Sequence, residues 1–368
     1  MKAVVKMGPG EGQLELKDWP EPTPGSNEVK LKIAAAGICG TDIHIIKGRW
    51  RCDPPVVLGH EFCGTVVEVG SQVRGFQPGD RVVSSNPAKV CGMCHHCLAG
   101  NPFMCSERVS AGYMIDGAFA EFLCIRPEVC HHLPDHVSFK AAAMGEPLAV
   151  AVRAVMERST VHAGDLVLVS GPGCVGLLTL LMAKLEGARV VISGVSKDQP
   201  RLECARQLGA DRVVNASIED LSGIILEASG GQGADLVYEC SGSPTSLAAC
   251  WESVRKEGTV VQVGVYPGPI ETDLNKVMMK ELRFIGSYGY VWTSWQRAVQ
   301  LWKDNRIRIE SMVSHQYPLS RFEEAFRVTQ DGRAIKVVLN PELPPDGQTD
   351  SSGQSIPETK RFQERQSV

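Results

Sequence analysis

Between residues 166 and 289 the chain repeats one pattern, a short apolar run followed by a segment of helical length. LVLVS (166–170) precedes GCVGLLTLLMAKLEG (173–187), and RVVIS (189–193) precedes RLECARQLG (201–209). DLVYECSG (235–242), TVVQVG (259–264) and FIGSYG (284–289) continue the series. Apolar runs without in–out alternation are strands buried on both faces. Helices between them supply the crossovers of a parallel sheet, so this part of the chain reads as a doubly wound α/β domain.

The first strand-to-helix turn is Ser170-Gly171-Pro172-Gly173-Cys174-Val175-Gly176, a G-x-G-x-x-G pattern. In this context each glycine has a physical role. Gly171 permits a tight turn, Gly173 lets backbone approach a pyrophosphate, and Gly176 lets helix and strand pack closely. The helix opening at Cys174 and Val175 presents free amides and positive potential to phosphate. A dinucleotide is the expected ligand. A carboxylate closing the second strand would hydrogen-bond the 2′-hydroxyl of NAD and repel a 2′-phosphate. Here Gly194 stands in that place, followed by Ser196, Lys197 and Arg201, which suit a phosphate, although Asp198 lies in the same loop. The balance favours NADP over NAD. Ser241, Val263, Gly264, Ser287 and Tyr288, at the ends of the later strands, are further candidate cofactor residues.

Residues 1–145 differ in kind. Short alternating strands such as TVVEV (65–69) and RVVS (81–84), separated by turns such as Gln77-Pro78-Gly79-Asp80, indicate an irregular, mostly β domain. Two domains also suit a length of 368 residues. A net charge of −4 argues against a nucleic-acid partner. No apolar run reaches signal-peptide or membrane length, so the chain reads as cytoplasmic, with no membrane partner. In a reducing compartment its thirteen cysteines are unlike disulfide partners, and clustered ones are metal ligands first. Cys91, Cys94, Cys97 and Cys105 fall within fifteen residues, a spacing that one loop can bring to a tetrahedral ion. Four thiolates leave no open coordination position, so a zinc ion here is expected to be structural, with an iron–sulfur cluster the lesser alternative.

Two fragments, Gly37-Ile38-Cys39-Gly40-Thr41-Asp42-Ile43-His44 and Leu58-Gly59-His60-Glu61-Phe62-Cys63-Gly64, add a thiolate and an imidazole, both good zinc ligands. With GHEFCGTVVEVG, QPGDRVV, the cysteine loop and GPGCVG in this order, the chain resembles the zinc-dependent medium-chain dehydrogenase/reductase family from Met1 to about Asn340. The resemblance implies a GroES-like catalytic domain (1–147 and 291–340) interrupted by a Rossmann NAD(P)-binding domain (148–290). Beyond it, the composition of 341–368, almost free of large apolar residues, reads as a polar tail, disordered or loosely attached. It implies two zinc ions per chain. Cys39 and His60 would hold the catalytic one, with Glu61 as a close or exchangeable ligand. Glu146 occupies a position that resembles the sorbitol, threonine and butanediol dehydrogenase branch; whether Glu61 or Glu146 binds at rest stays open. Thr41 and His44 would relay a proton.

The implied reaction is hydride transfer between a secondary alcohol, diol or polyol, or the matching ketone, and NAD(P). The alternative is a non-catalytic nucleotide-binding protein of the same fold. Two departures, Gly289 in place of a polyol-gripping arginine and Ile45-Ile46 in place of a tyrosine, favour a smaller alcohol, diol or ketone over a long polyol. The family resemblance also implies a homodimer or homotetramer.

Overall fold

The computed structural model describes residues 1–332 and 334–345, which form two compact units. One comprises Met1–Glu146 and the chain from Val299 on; the other is Pro147–Ala298. The expected polar tail lies outside the described residues from 346 on. Among the described residues no helix is long and apolar enough to cross a membrane.

In the Pro147–Ala298 unit six parallel strands run in the order Arg212–Asn215, Arg189–Gly194, Leu166–Ser170, Ala234–Glu239, Val254–Gln262, Arg283–Gly286. Numbered along the chain this is 3-2-1-4-5-6, the Rossmann order, which reverses between Leu166–Ser170 and Ala234–Glu239. Every residue of LVLVS is buried, as expected of a strand covered on both faces. The loops leaving the carboxyl ends of these two central strands diverge, and the gap between them is where such sheets bind ligands.

The first unit is built on a seven-stranded sheet. Its path runs Cys130–His132, Arg81–Ser84, Glu61–Val69, Val29–Gly37, Lys336–Leu339, Val313–Tyr317, and Phe122–Ile125 also pairs Val29–Gly37. The long Val29–Gly37 strand has the burial pattern of an interior element, with Leu31, Ile33, Ala35 and Ala36 at most 1% exposed. Its last residue matters most for function. Gly37 pairs Glu61 on one side and Val338 on the other, so strands from opposite ends of the chain meet at one glycine.

Candidate active site and metal centres

Helix Gly40–Ile46 leaves this junction with Cys39 as its N-cap. The Thr41 N–H donates to Cys39 Sγ (3.5 Å), and the Cys39 N–H donates to Asp42 Oδ2 (2.9 Å). The capping residue and the third residue of the helix thus satisfy each other's orphan donors, which holds the thiol in a defined direction. His60 and Glu61 arrive from the neighbouring strand. Gly59, at φ +96°, turns the chain before them, and a Cβ there would lie 2.6 Å from the Phe119 ring.

One ligand atom each from Cys39, His60 and Glu61 lies within 4.8 Å of the others. Zinc bonds of about 2.0–2.3 Å require tetrahedral ligands about 3.3–3.8 Å apart, so this donor set fits a zinc ion after small side-chain adjustments. Thiolate, imidazole and carboxylate are all natural zinc ligands, and three of them leave a position open for substrate. His60 and Glu61 are buried at 4% and 1% exposure.

Two partners that sequence reasoning passed over complete the cluster. Asp42, fully buried, places Oδ1 3.3 Å from His60 Nδ1, and neither atom has another hydrogen-bond partner. That leaves the opposite ring nitrogen to face the metal position, the usual way a carboxylate orients a ligating histidine. Burial would lower the imidazole pKa, but Asp42 and the Cys39 thiolate outweigh it and raise it well above the ordinary value. The second partner is Lys336, whose Nζ donates to Glu61 Oε2 and to the Ile38 carbonyl (3.1 Å). Gly37 makes the pairing possible: a Cβ there would sit 2.6 Å from Lys336 Cε and 3.1 Å from the Ala143 carbonyl oxygen. Asp42 had a local signal, its spacing three residues after Cys39; Lys336 had none.

Glu146 stands in the first turn of helix Gly145–Val152, buried, but is not one of the three converging ligands. Burial, and then the charge of Glu61, push its carboxyl up to about 7. Thr41 and His44 follow Cys39 on the same helix at i and i+3 spacing, hence on one face. Burial lowers the His44 pKa, and Arg49 and Lys47 lower it further, so the imidazole is neutral and able to accept a proton at neutral pH.

The four loop cysteines also converge within 4.8 Å. Zn–S bonds of about 2.3 Å predict tetrahedral S–S edges of about 3.8 Å. Cys91 Sγ lies 3.6 Å from Cys105 Sγ and 3.9 Å from Cys97 Sγ. N–H groups of Met93 and Cys94 pull the Cys91 thiol down to about 7, while burial and Cys94 push Cys97 up to about 12. Crowded thiols resist ionising together unless a cation compensates them, and this geometry fits zinc.

In the other unit, Gly171, Gly173, Gly194, Lys197, Arg201 and Ser241 line a cavity of about 460 Å³ at the sheet's reversal point. Cys174, Val175 and Gly176 open the helix Cys174–Leu185 beside it. A Cβ on Gly194 would lie 2.7 Å from Pro172 Cγ, so no acidic side chain fits there. Asp198 lines the cavity with its carboxylate already engaged: Oδ2 accepts from the Val195 N–H (3.1 Å), and Arg201 donates to Oδ1 (3.3 Å). The Ser196 hydroxyl bonds Asn215 instead of facing the cavity. Val263, Gly264, Ser287 and Tyr288 follow the ends of Val254–Gln262 and Arg283–Gly286, outside this cavity's lining.

Residues 25–135 match the alcohol dehydrogenase GroES-like domain, and residues 174–304 match the zinc-binding dehydrogenase family. The chain is 40% identical over 342 residues to a sorbitol dehydrogenase of Halalkalibacterium halodurans, covering 93% of this chain and 99% of that one. It is 39% identical over 346 residues to a D-arabitol-phosphate dehydrogenase of Enterococcus avium, covering 93% and 98%. Among solved structures it resembles the 2R,3R-butanediol dehydrogenase of Bacillus subtilis, with a TM-score of 0.81, 28% identity, and coverage of 93% and 99%. These relatives give no support to the non-catalytic alternative. The chain belongs to the zinc-dependent medium-chain dehydrogenase/reductase family and is an oxidoreductase that moves a hydride between a CH–OH carbon and NAD(P).

Proposed function

We propose that this chain oxidises the secondary hydroxyl of a diol or short polyol with NADP, or reduces the matching ketone. The observation that carries the reading is the convergence of Cys39, His60 and Glu61, with Glu146 held beside them as a raised-pKa acid. A zinc ion bound by these three residues supplies Lewis acidity that lowers the pKa of the alcohol. Asp42 fixes the His60 ring, and Lys336 holds Glu61. Thr41 receives the substrate proton through its hydroxyl, and His44, neutral and half-buried, passes it toward solvent. Glu146 gives the pocket a second carboxylate able to trade places with Glu61. The relatives, named for sorbitol, arabitol phosphate and butanediol, support a secondary hydroxyl of a polyol or diol. The preference for a shorter chain rests on Gly289, a residue without a cation where the family resemblance implies an arginine.

NADP is favoured by the missing acid at Gly194, by the occupied carboxylate of Asp198, and by Lys197, exposed at the cavity wall. A second zinc ion belongs in the four-cysteine loop. The chain further reads as a homo-oligomer. Arg283–Gly286 ends the sheet with no further strand among the described residues, and Phe284 (44% exposed) and Met278 (68%) leave an apolar margin for a two-fold partner.

Initial rates with NAD and NADP, each against diols, pentitols, hexitols and their phosphates, test the reading. We expect the highest kcat/KM with a diol or short polyol and NADP, and a hexitol preferred over both would refute the chain-length reading. Reduction confined to NAD would refute the cofactor assignment, and turnover persisting in Cys39→Ser would refute the metal assignment.

A further inference from the structure

Glu239 ends the strand Ala234–Glu239 with no solvent exposure, and its carboxylate is ringed by donors. Oε1 accepts from the Ser241 N–H (2.9 Å), the Ser241 hydroxyl, the Ser246 hydroxyl (2.9 Å) and the Gly242 N–H (3.2 Å). Oε2 accepts from the Gly242 N–H (3.1 Å), Gln262 Nε2 (2.8 Å) and the Tyr266 hydroxyl (3.3 Å). Only a carboxylate, an acceptor on both oxygens, satisfies all of these at once. An amide would turn an N–H toward groups that themselves donate, and the two backbone N–H groups cannot reverse their role.

The donors tie this carboxylate to the cofactor cavity. Ser241 and Ser246 line it, Ser246 Oγ lies 2.7 Å from Ser170 Oγ, and the Ser193 hydroxyl donates to Ser170 Oγ (3.3 Å). Four strand ends are thereby joined: Ser193, Ser170, Glu239 and Gln262. Ser241 also sets the room available to the first glycine of the turn, since a Cβ on Gly171 would lie 2.8 Å from Ser241 N and Cβ. Glu239 itself is not among the lining residues.

We propose that Glu239 is a positioning residue for the dinucleotide. Without touching the cofactor, it holds Ser241 and Ser246 against the Gly171 turn, so that the phosphate cradle exists before the ligand arrives. Preorganisation of this kind is read in affinity, because a loosened cradle must be ordered when the cofactor binds. The inference rests on the assignment of this cavity to NAD(P). It differs from a bracing role, which would lower stability and leave the affinity of the folded protein unchanged.

The test is fluorescence titration of NADPH into the full-length, zinc-loaded protein and its Glu239→Gln variant, with KM and kcat measured alongside. We expect Kd and cofactor KM to rise at least tenfold, with kcat at saturating cofactor within threefold of wild type and zinc content unchanged. Tyr266→Phe keeps the ring, lines no part of the cavity, and removes one donor to Oε2; a two- to fivefold rise in Kd is expected. It keeps the inference testable if Glu239→Gln does not fold. Kd values within twofold of wild type in every folded variant, whatever their Tm, would overturn the positioning role and leave the cavity assignment standing. Wild-type protein that binds neither NADPH nor NADH would overturn the cavity assignment itself.

Discussion

Replacing Lys336 by Met probes the junction at Gly37. The substitution keeps length and apolar bulk but removes the ammonium that Glu61 faces. Both side chains are nearly inaccessible, at 3% and 2% exposure, so solvent screening reduces the effect little. Removing one partner of such a pair costs about 3–5 kcal/mol, because the remaining charge stays buried without compensation. With a urea slope of about 3 kcal/mol/M, the zinc-stripped variant should unfold about 1–2 M earlier than zinc-stripped wild type. Stripping the cysteine loop affects both proteins alike and cancels in the difference. In zinc-loaded protein the loss should shrink, since a divalent cation beside Glu61 takes over the compensation. The double variant Lys336→Met, Glu61→Gln should recover most of the stability, because neither charge then remains. A zinc-free loss below about 1 kcal/mol, or a double variant that costs the sum of the two singles, would refute the dependence of Glu61 on Lys336.

Glu146→Gln should change the stability of zinc-free protein in a pH-dependent way. The folded carboxyl is raised to about 7, so wild-type stability from this group is complete below its unfolded pKa and lost as pH climbs through about 7. Thermal melts should show the Gln variant more stable than wild type at pH 8 and equal to it near pH 4; a constant difference would contradict the assignment. Arg49→Ala removes a cation that depresses His44, so the acidic limb of the kcat/KM profile should move to higher pH, and an unmoved limb would exclude His44 from the relay. Cys97→Ser should lower bound zinc, measured by elemental analysis, by one ion per chain while leaving NADPH affinity within twofold. Unchanged zinc content would rule out the four-cysteine site.

Much of this protein is legible from local pattern. The Rossmann unit is written in continuous apolar runs and a glycine turn, because burial on both faces and a phosphate cradle each impose a short-range rule on residue type. The cysteine loop is equally local, since its four ligands lie within fifteen residues. Cys39, Thr41, His44, His60, Glu61 and Glu146 were reached through motif order and family resemblance, and the structure brings Cys39, His60 and Glu61 together through one strand pairing.

What stayed illegible depended on distance along the chain. Lys336 meets Glu61 across 275 residues, and nothing in IKVVLN distinguishes that lysine from a solvated one. Its role arises because antiparallel pairing sets Gly37 between two strands and leaves no side chain in the way. Glu239 looks like any acid ending a strand until the turns around it aim their N–H and O–H groups inward. Asp198 read as an ambiguity in sequence, and only the folded loop shows its carboxylate already occupied by Val195 and Arg201. Residue type and spacing determined which chemistries this chain could perform. Tertiary structure decided which buried charges meet, because desolvation makes an unpaired charge costly and pairing depends on neighbours the local sequence does not contain.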